Sequence, residues 1–150
     1  MALNILIEPH FFPCIQYLTK FLKNSLVVID DLSRYEKQSY RNRAYIAGAN
    51  KILSINVPLK QGKTRAHMKD VKIDYSSYWM RECRNSICSA YGKAPFFDFY
   101  YESIEQELKQ TYTYLLDLNI ATIKLCLNLL GMKANYCLLS EFPGDEAELA

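Results

Sequence analysis

Two short apolar runs, Asn4–Ile7 and Leu26–Ile29, bracket a segment in which Cys14, Tyr17, Leu18, Phe21 and Leu22 recur at helical spacing. This order constrains the fold more than any other feature. Two strands joined through a helix pair in parallel, because a parallel pair needs a crossover of a dozen or more residues, and that crossover is right-handed. The first run ends at Glu8-Pro9 and the second at Asp30-Asp31. Pro13 suits the first turn of the helix, and Asn24-Ser25 closes it. The N-terminal segment is therefore expected to form a βαβ unit.

The rest of the chain adds further elements. Arg34–Ala44 is polar, basic and aromatic without a clean period. Arg43–Ala47 and Ile52–Val57 are predicted strands around a Gly48-Ala49-Asn50 turn. Lys60–His67 is a predicted polar loop and Val71–Ile73 a short strand. Ser76 or Ser77 is placed to cap a helix with Trp79, Cys83, Ile87 and Tyr91 on one face, ended by Gly92 and Pro95. Asp98–Leu108 is a predicted helix. Tyr112, Leu115, Leu116, Ile120, Ile123, Leu127 and Leu130 form the clearest amphipathic stripe, stopped by Gly131, and Asn135–Leu139 is a last candidate strand. The expected class is α/β: an N-terminal βαβ, a Rossmann-like mixed sheet flanked by helices, and a mainly helical C-terminal part.

At 150 residues the chain fits one domain with a sizeable core. No apolar run approaches the roughly 20 residues that span a bilayer, and the start, Met1 to His10, lacks the basic region of a signal peptide. The five cysteines are irregularly spaced and there are only two histidines, His10 and His67, which argues against a zinc cluster. Free thiols in a reducing cytoplasm are the expected state. Cys14 is the one candidate nucleophile, although its spacing puts it on the apolar side of the first helix. The net charge of +2 conceals an asymmetry: residues 34–72 hold ten Lys or Arg against two acids, whereas residues 73–150 hold six against eleven. A basic middle points to an anionic partner or to a solvated basic face.

The candidate chemistry lies at the strand ends, where open α/β sheets bind ligands. His10 stands near a helix N-terminus, where it can contact a phosphate, move a proton or simply bond the loop. Asp30 and Asp31 follow a buried strand. They can orient a hydroxyl, act as base or hold Mg2+; otherwise one caps the turn and the other is exposed. No metal-ligand cluster is assigned. Lys37, Arg41 and Arg43 bracket Tyr40 and Asn42, pairing cations that match phosphates with rings, including Tyr35 and Tyr45, that stack on bases or sugars. The same stripe would also suit RNA.

These residues, in this order, resemble the WbqC-like protein family, in its branch from Bacteroides-type bacteria. The matching blocks are Pro9-His-Phe-Phe-Pro13 with Tyr17; Asp31, Tyr35, Lys37, Tyr40, Asn42 and Arg43; Val57-Pro58; Ile73-Asp74 with Trp79; and Ala90-Tyr91 leading to Ala94-Pro95-Phe-Phe97. The common form of the family begins His-Gln-Pro, whereas Glu8 precedes Pro9 here. Members are usually longer, so the resemblance implies a single WbqC-like domain over residues 1–150 that lacks a C-terminal block. The βαβ and its histidine loop are also similar to nucleotidyltransferases of the HxGH class, but Gln16-Tyr17 stands where their second histidine falls.

The resemblance implies a setting, the surface-polysaccharide (O-antigen) gene clusters, and not a reaction. The expected function is that of an enzyme acting on a nucleotide-linked or phosphate-bearing sugar. His10, Asp30 and Asp31 are its candidate catalytic residues, and Tyr17, Tyr35, Lys37, Tyr40, Arg41, Asn42 and Arg43 its candidate ligand contacts. The alternatives are a non-catalytic module of the same pathway and, less favoured, an RNA-binding protein. An anionic small molecule is the expected partner, and oligomeric state is not read from sequence.

Overall fold

The computed structural model describes residues 4–60, 66–145 and 149. The expected βαβ is there. Strand β1 (Asn4–Ile7), helix α1 (Ile15–Lys23) and strand β2 (Leu26–Ile29) follow in order, and β1 pairs with β2 in parallel, with Ile7 opposite Ile29. α1 buries Tyr17, Leu18 and Phe21, and Lys20 and Lys23 in its last turn complement the carboxyl end of its dipole. Asn24 closes it by donating from Nδ2 to Lys20 O at 2.7 Å. Pro13 lies just ahead of the helix rather than in its first turn, and Cys14 is the N-cap, exposed rather than on the apolar face.

Strands β3 (Arg43–Ala47) and β4 (Ile52–Asn56) form an antiparallel hairpin. Helices α2 (Trp79–Tyr91), α3 (Phe97–Leu108) and α4 (Leu115–Leu129) follow, and β5 (Tyr136–Leu138) ends the regular structure. β5 returns to lie parallel to β2, giving a three-stranded sheet of order β1-β2-β5. The fold is α/β, with the parallel and antiparallel pairs carried by two separate sheets rather than one mixed sheet. α4 ends in a Schellman arrangement: Gly131, at φ 65°, donates to Asn128 O, and Met132 donates to Leu127 O.

Three local expectations are corrected. Val71–Ile73 forms isolated bridges, Leu59 with Ile73 and Lys72 with Tyr114, because its neighbours are single residues rather than a strand. Neither serine caps α2. Tyr78 is the N-cap without a side-chain bond, and Ser76 N–H instead donates to Asp74 Oδ1. Tyr112 lies outside α4, its N–H held by the Tyr75 hydroxyl at 3.0 Å. Within the Lys60–His67 loop, residues 61–65 lie outside the described residues.

Two apolar clusters hold the elements. One packs α1, β1 and β2 against Ile123 and Leu127 of α4. The other packs Ala44, Ile55, Val57, Met68, Trp79, Cys83, Ile87 and Leu108 against Leu115, Leu116 and Leu118 of α4. The first half of α4 thus serves one core and the second half the other. Between them, the fully buried Asn119 and Thr122 are the only polar side chains that α4 places in the interior among the described residues.

Candidate functional site

The β1–α1 loop and the segment after β2 lie side by side, as their positions beyond two paired strands require. Asp30 N–H donates to Ile7 O at 2.8 Å, and Phe11 N–H donates to Tyr40 O at 3.0 Å. α4 fastens both from below. Asn119 Nδ2 donates to Pro9 O at 3.2 Å and to Arg41 O at 2.8 Å, and Thr122 Oγ1 accepts from Phe12 N–H at 3.2 Å. Phe12 sits at φ 42°, a conformation costly for a side-chain-bearing residue and one that persists only where the surroundings impose it. The prolines on either side, Pro9 and Pro13, are buried and stiffen the same loop.

The result is a ring stack. His10 lies between Tyr17, centroid distance 4.6 Å, and Tyr40, 5.4 Å, at interplanar angles of 27° and 24°. Tyr45 meets Tyr40 edge-on at 5.7 Å. Tyr17 is buried and donates its hydroxyl to Glu8 O at 2.7 Å. Burial, with the Glu8 carboxylate adding to it, raises its phenol well above the ordinary value. Tyr40 and Tyr45 are about half exposed, so the stack opens to solvent on their side.

Burial, then the positive charges of Lys20 and Arg41, lowers the His10 imidazole to about 4. It is neutral near pH 7, where its unprotonated ring nitrogen can accept a hydrogen bond. Arg41 is only 2 % exposed. Its Nη2 meets Glu8 Oε1 at 2.7 Å and its Nη1 meets Glu36 Oε2 at 3.4 Å. Glu8 therefore supplies the carboxylate that a buried guanidinium needs. Tyr35 faces the same arginines. Burial raises its phenol, and Arg41 and Arg43 oppose the shift.

The other predicted residues divide. Arg43 Nε donates to Asn56 Oδ1 at 2.6 Å in β4, and Asn42 Nδ2 donates to Val57 O at 3.1 Å just beyond it, so both tie the segment to the end of the hairpin. Lys37 is exposed in a turn. Asp30 Oδ1 accepts from the N–H groups of Leu32 and Ser33, which is the capping alternative. Asp31 is buried rather than exposed, and its Oδ1 accepts Ser140 N–H at 3.0 Å, fastening the segment after β5. Three or more His, Cys, Asp or Glu side chains do not converge on a metal-sized site among the described residues. A cleft of about 480 Å3 lies elsewhere, between Glu107, Tyr112 and the outer face of α4 at Asp117, Ile120 and Lys124.

Glu8 and Glu36 fall within the two loop segments that the sequence points to but carry no role there, and Lys20, Asn119 and Thr122 lie outside them. The available signal for two of them was polar residues three apart inside the apolar stripe of α4, because buried polar groups are kept only where they make bonds.

The fold and this strand-end ring stack define an α/β protein with an aromatic surface beyond β1 and β2. The chain matches the WbqC-like protein family over residues 8–150, nearly its whole length, and belongs to that family. No curated protein and no solved structure matches it. Among the described residues no helix is long and apolar enough to cross a membrane.

Proposed function

We propose that the chain is an enzyme of bacterial surface-polysaccharide synthesis whose substrate is a nucleotide-linked or phosphate-bearing sugar, bound against the His10–Tyr40 stack. The observation that carries this reading is His10 itself: a neutral imidazole at pH 7, fixed between two rings and close to two cations. A neutral imidazole that titrates at about 4 is a weak base and carries no charge to a phosphate; its ring nitrogens serve instead as hydrogen-bond partners that orient a sugar hydroxyl or amine. Tyr40 and Tyr45 offer faces on which a base or sugar ring stacks. Arg43, Lys37 and Lys20 are the cations left for the anionic group, since Arg41 is matched by Glu8 and Glu36. Asp30 and Asp31 act in this reading through the backbone they hold, with Asp30 nearest the histidine loop.

Titration calorimetry with UDP- and CDP-sugars tests it. The wild type is expected to bind at least one, with Arg43→Ala weakening it at least about tenfold, the loss of one charge-assisted contact. Absence of binding to every nucleotide sugar would sink the idea. A second reading, a non-catalytic binding module, is favoured by one observation: both aspartates spend a carboxylate oxygen on backbone N–H groups. It predicts binding that His10→Gln leaves intact, with no turnover in either protein.

A further inference from the structure

The outer face of the hairpin carries a row of side-chain bonds beside the ring stack. Alternation along the strands sends Ala44, Ile46 and Ile55 toward the core. It sends Arg43 and Tyr45 to the opposite face, where Asn56 and Ser54 stand directly across from them. On that face Arg43 Nε donates to Asn56 Oδ1 at 2.6 Å, and Asn56 Nδ2 donates to Ser54 Oγ at 3.2 Å. Nε is a donor, so the first bond fixes which end of the Asn56 amide faces the arginine. Ser54 and Asn56 are exposed and Arg43 is partly buried. Tyr45, opposite Ser54, meets Tyr40 edge-on at 5.7 Å, so the bonded row adjoins the stack through a documented ring contact.

What the row leaves unspent decides what it can hold. Among the described residues Arg43 forms no ion pair, and Nε is its one bonded side-chain nitrogen, so its Nη groups are free. Asn56 keeps one amide hydrogen and Ser54 its hydroxyl hydrogen. The acceptors are already engaged: Asn56 Oδ1 takes Arg43, and Ser54 Oγ takes Asn56. Residues 43–57 contain two cations, Arg43 and Lys51, and no acid. A positively charged surface of free donors suits an acceptor-rich anion, and a guanidinium fork matches phosphate oxygens. A neutral saccharide presents donors as well as acceptors and finds few acceptors here. Arg43 and Tyr45 are two positions apart on one strand face, about 6.6 Å, comparable to the span of a ribose between a base and its phosphates. Tyr45 and Tyr40, each about half exposed, present ring faces at that end.

We propose that the outer face of β3 and β4 is a diphosphate subsite, in which Arg43, Asn56 and Ser54 bind the phosphates of a nucleoside diphosphate group whose base stacks at Tyr45 and Tyr40. This inference rests on the reading of a nucleotide-linked sugar and deepens it: it assigns the diphosphate to the hairpin and leaves the sugar to the His10 side of the stack. Asn56 acts twice. Its free amide hydrogen reaches the anion, and its carbonyl holds the guanidinium in place before the ligand arrives, which lowers the ordering cost of binding. Ser54 orients Asn56 in turn and offers its own hydroxyl.

Calorimetry with UDP, CDP, ADP and GDP, each against its monophosphate, tests the subsite. Asn56→Asp keeps an oxygen for Arg43 Nε, so the guanidinium stays where it is, and sets a negative charge against the phosphates. For the diphosphate that the wild type binds, affinity is expected to fall at least about tenfold, and for its monophosphate by less. Ser54→Ala with Asn56→Ala removes the row at exposed positions, so the unfolding midpoint stays close to wild type while diphosphate affinity falls about threefold or more. Equal losses for diphosphate and monophosphate would overturn the subsite. So would nucleotide-sugar binding that neither variant changes, and then this inference falls alone. Inorganic pyrophosphate separates it from the reading beneath it. Pyrophosphate binding that Asn56→Asp abolishes, in a protein that binds no nucleotide sugar, would support the hairpin subsite and sink that reading; a wild type that binds neither sinks both.

Discussion

The parallel sheet buries Val27, Val28 and Ile29 completely, whereas the hairpin buries one residue in each strand, Ala44 in β3 and Ile55 in β4. β2 is flanked by a strand on either side and α1 packs in the same core, so Val27, Val28 and Ile29 leave water, a gain of about 1.5–3 kcal/mol apiece. A two-stranded hairpin has no such neighbours and is marginal by itself. It is held by what lies over it: α2, Val57 and the first half of α4. One half of the molecule is thus stabilised largely from within its sheet, the other by a helix shared with the first. The ring stack sits where the two meet, and its loops are bonded to α4 at the point where that helix passes from one core to the other.

The comparison can be broken most sharply in the cores. Leu118→Ala, in the hairpin core, and Leu127→Ala, in the sheet core, are each expected to cost about 2–5 kcal/mol by urea unfolding, as buried leucine truncations do. If α4 couples the halves, each variant unfolds in a single transition; a separate early transition of the hairpin half for Leu118→Ala would show that the coupling is weak. Asn119→Leu acts on the seam itself. It leaves Pro9 O and Arg41 O without their partner, at roughly 3 kcal/mol for two buried carbonyls. Hydrogen exchange at the Phe11 amide is expected to quicken, since its acceptor belongs to Tyr40, one residue from Arg41. Unchanged exchange there would mean that α4 does not hold the two loops together.

The smallest effect is a pH dependence. His10 titrates from about 6.5 when unfolded to about 4 in the fold, so between those values the unfolded chain binds the proton first. Its contribution is complete above the unfolded value and is lost as pH falls through the window toward about 4, at most about 3 kcal/mol and less for the solvent its ring still meets. His10→Phe keeps a ring in the stack and removes the titration. Its stability is expected to fall less steeply than wild type across that window, and equal slopes would place the titration elsewhere.

The βαβ unit, the hairpin and α4 were legible in the sequence because each carries its own period and its own punctuation: β-branched runs at β2, Gly48 at the turn, Gly131 at the helix end. The adjacency of the His10 and Tyr40 segments was legible as well, since paired parallel strands place their ends together. The division into two sheets was not, because nothing local to β3 and β4 says which sheet they join. Nor was the exposure of Cys14, which follows from where the helix starts rather than from its periodicity. In the site, Glu8 was visible only as a departure from the family form, and its reason, the buried Arg41, lies 33 positions away. Asn119 and Thr122 lie 110 positions from the loop residues they bond. Their place inside the apolar stripe of α4 marks them as bonded, but at that range spacing carries no trace of the partners.

β5 carries one more consequence. Val27 finds its partner Tyr136 only after roughly a hundred intervening residues, whereas Asn4 and Leu26 meet across a single helix. As the chain emerges from a ribosome, the β1–β2 pair can form early, but the far side of β2 remains an open strand edge until the roughly one hundred residues that separate it from β5 have been made. During synthesis this apolar edge is the segment best able to pair with the wrong strand. Its exposure ends when Tyr136–Leu138 arrives, and Asp31, by receiving Ser140 N–H, fastens the chain just beyond that last strand.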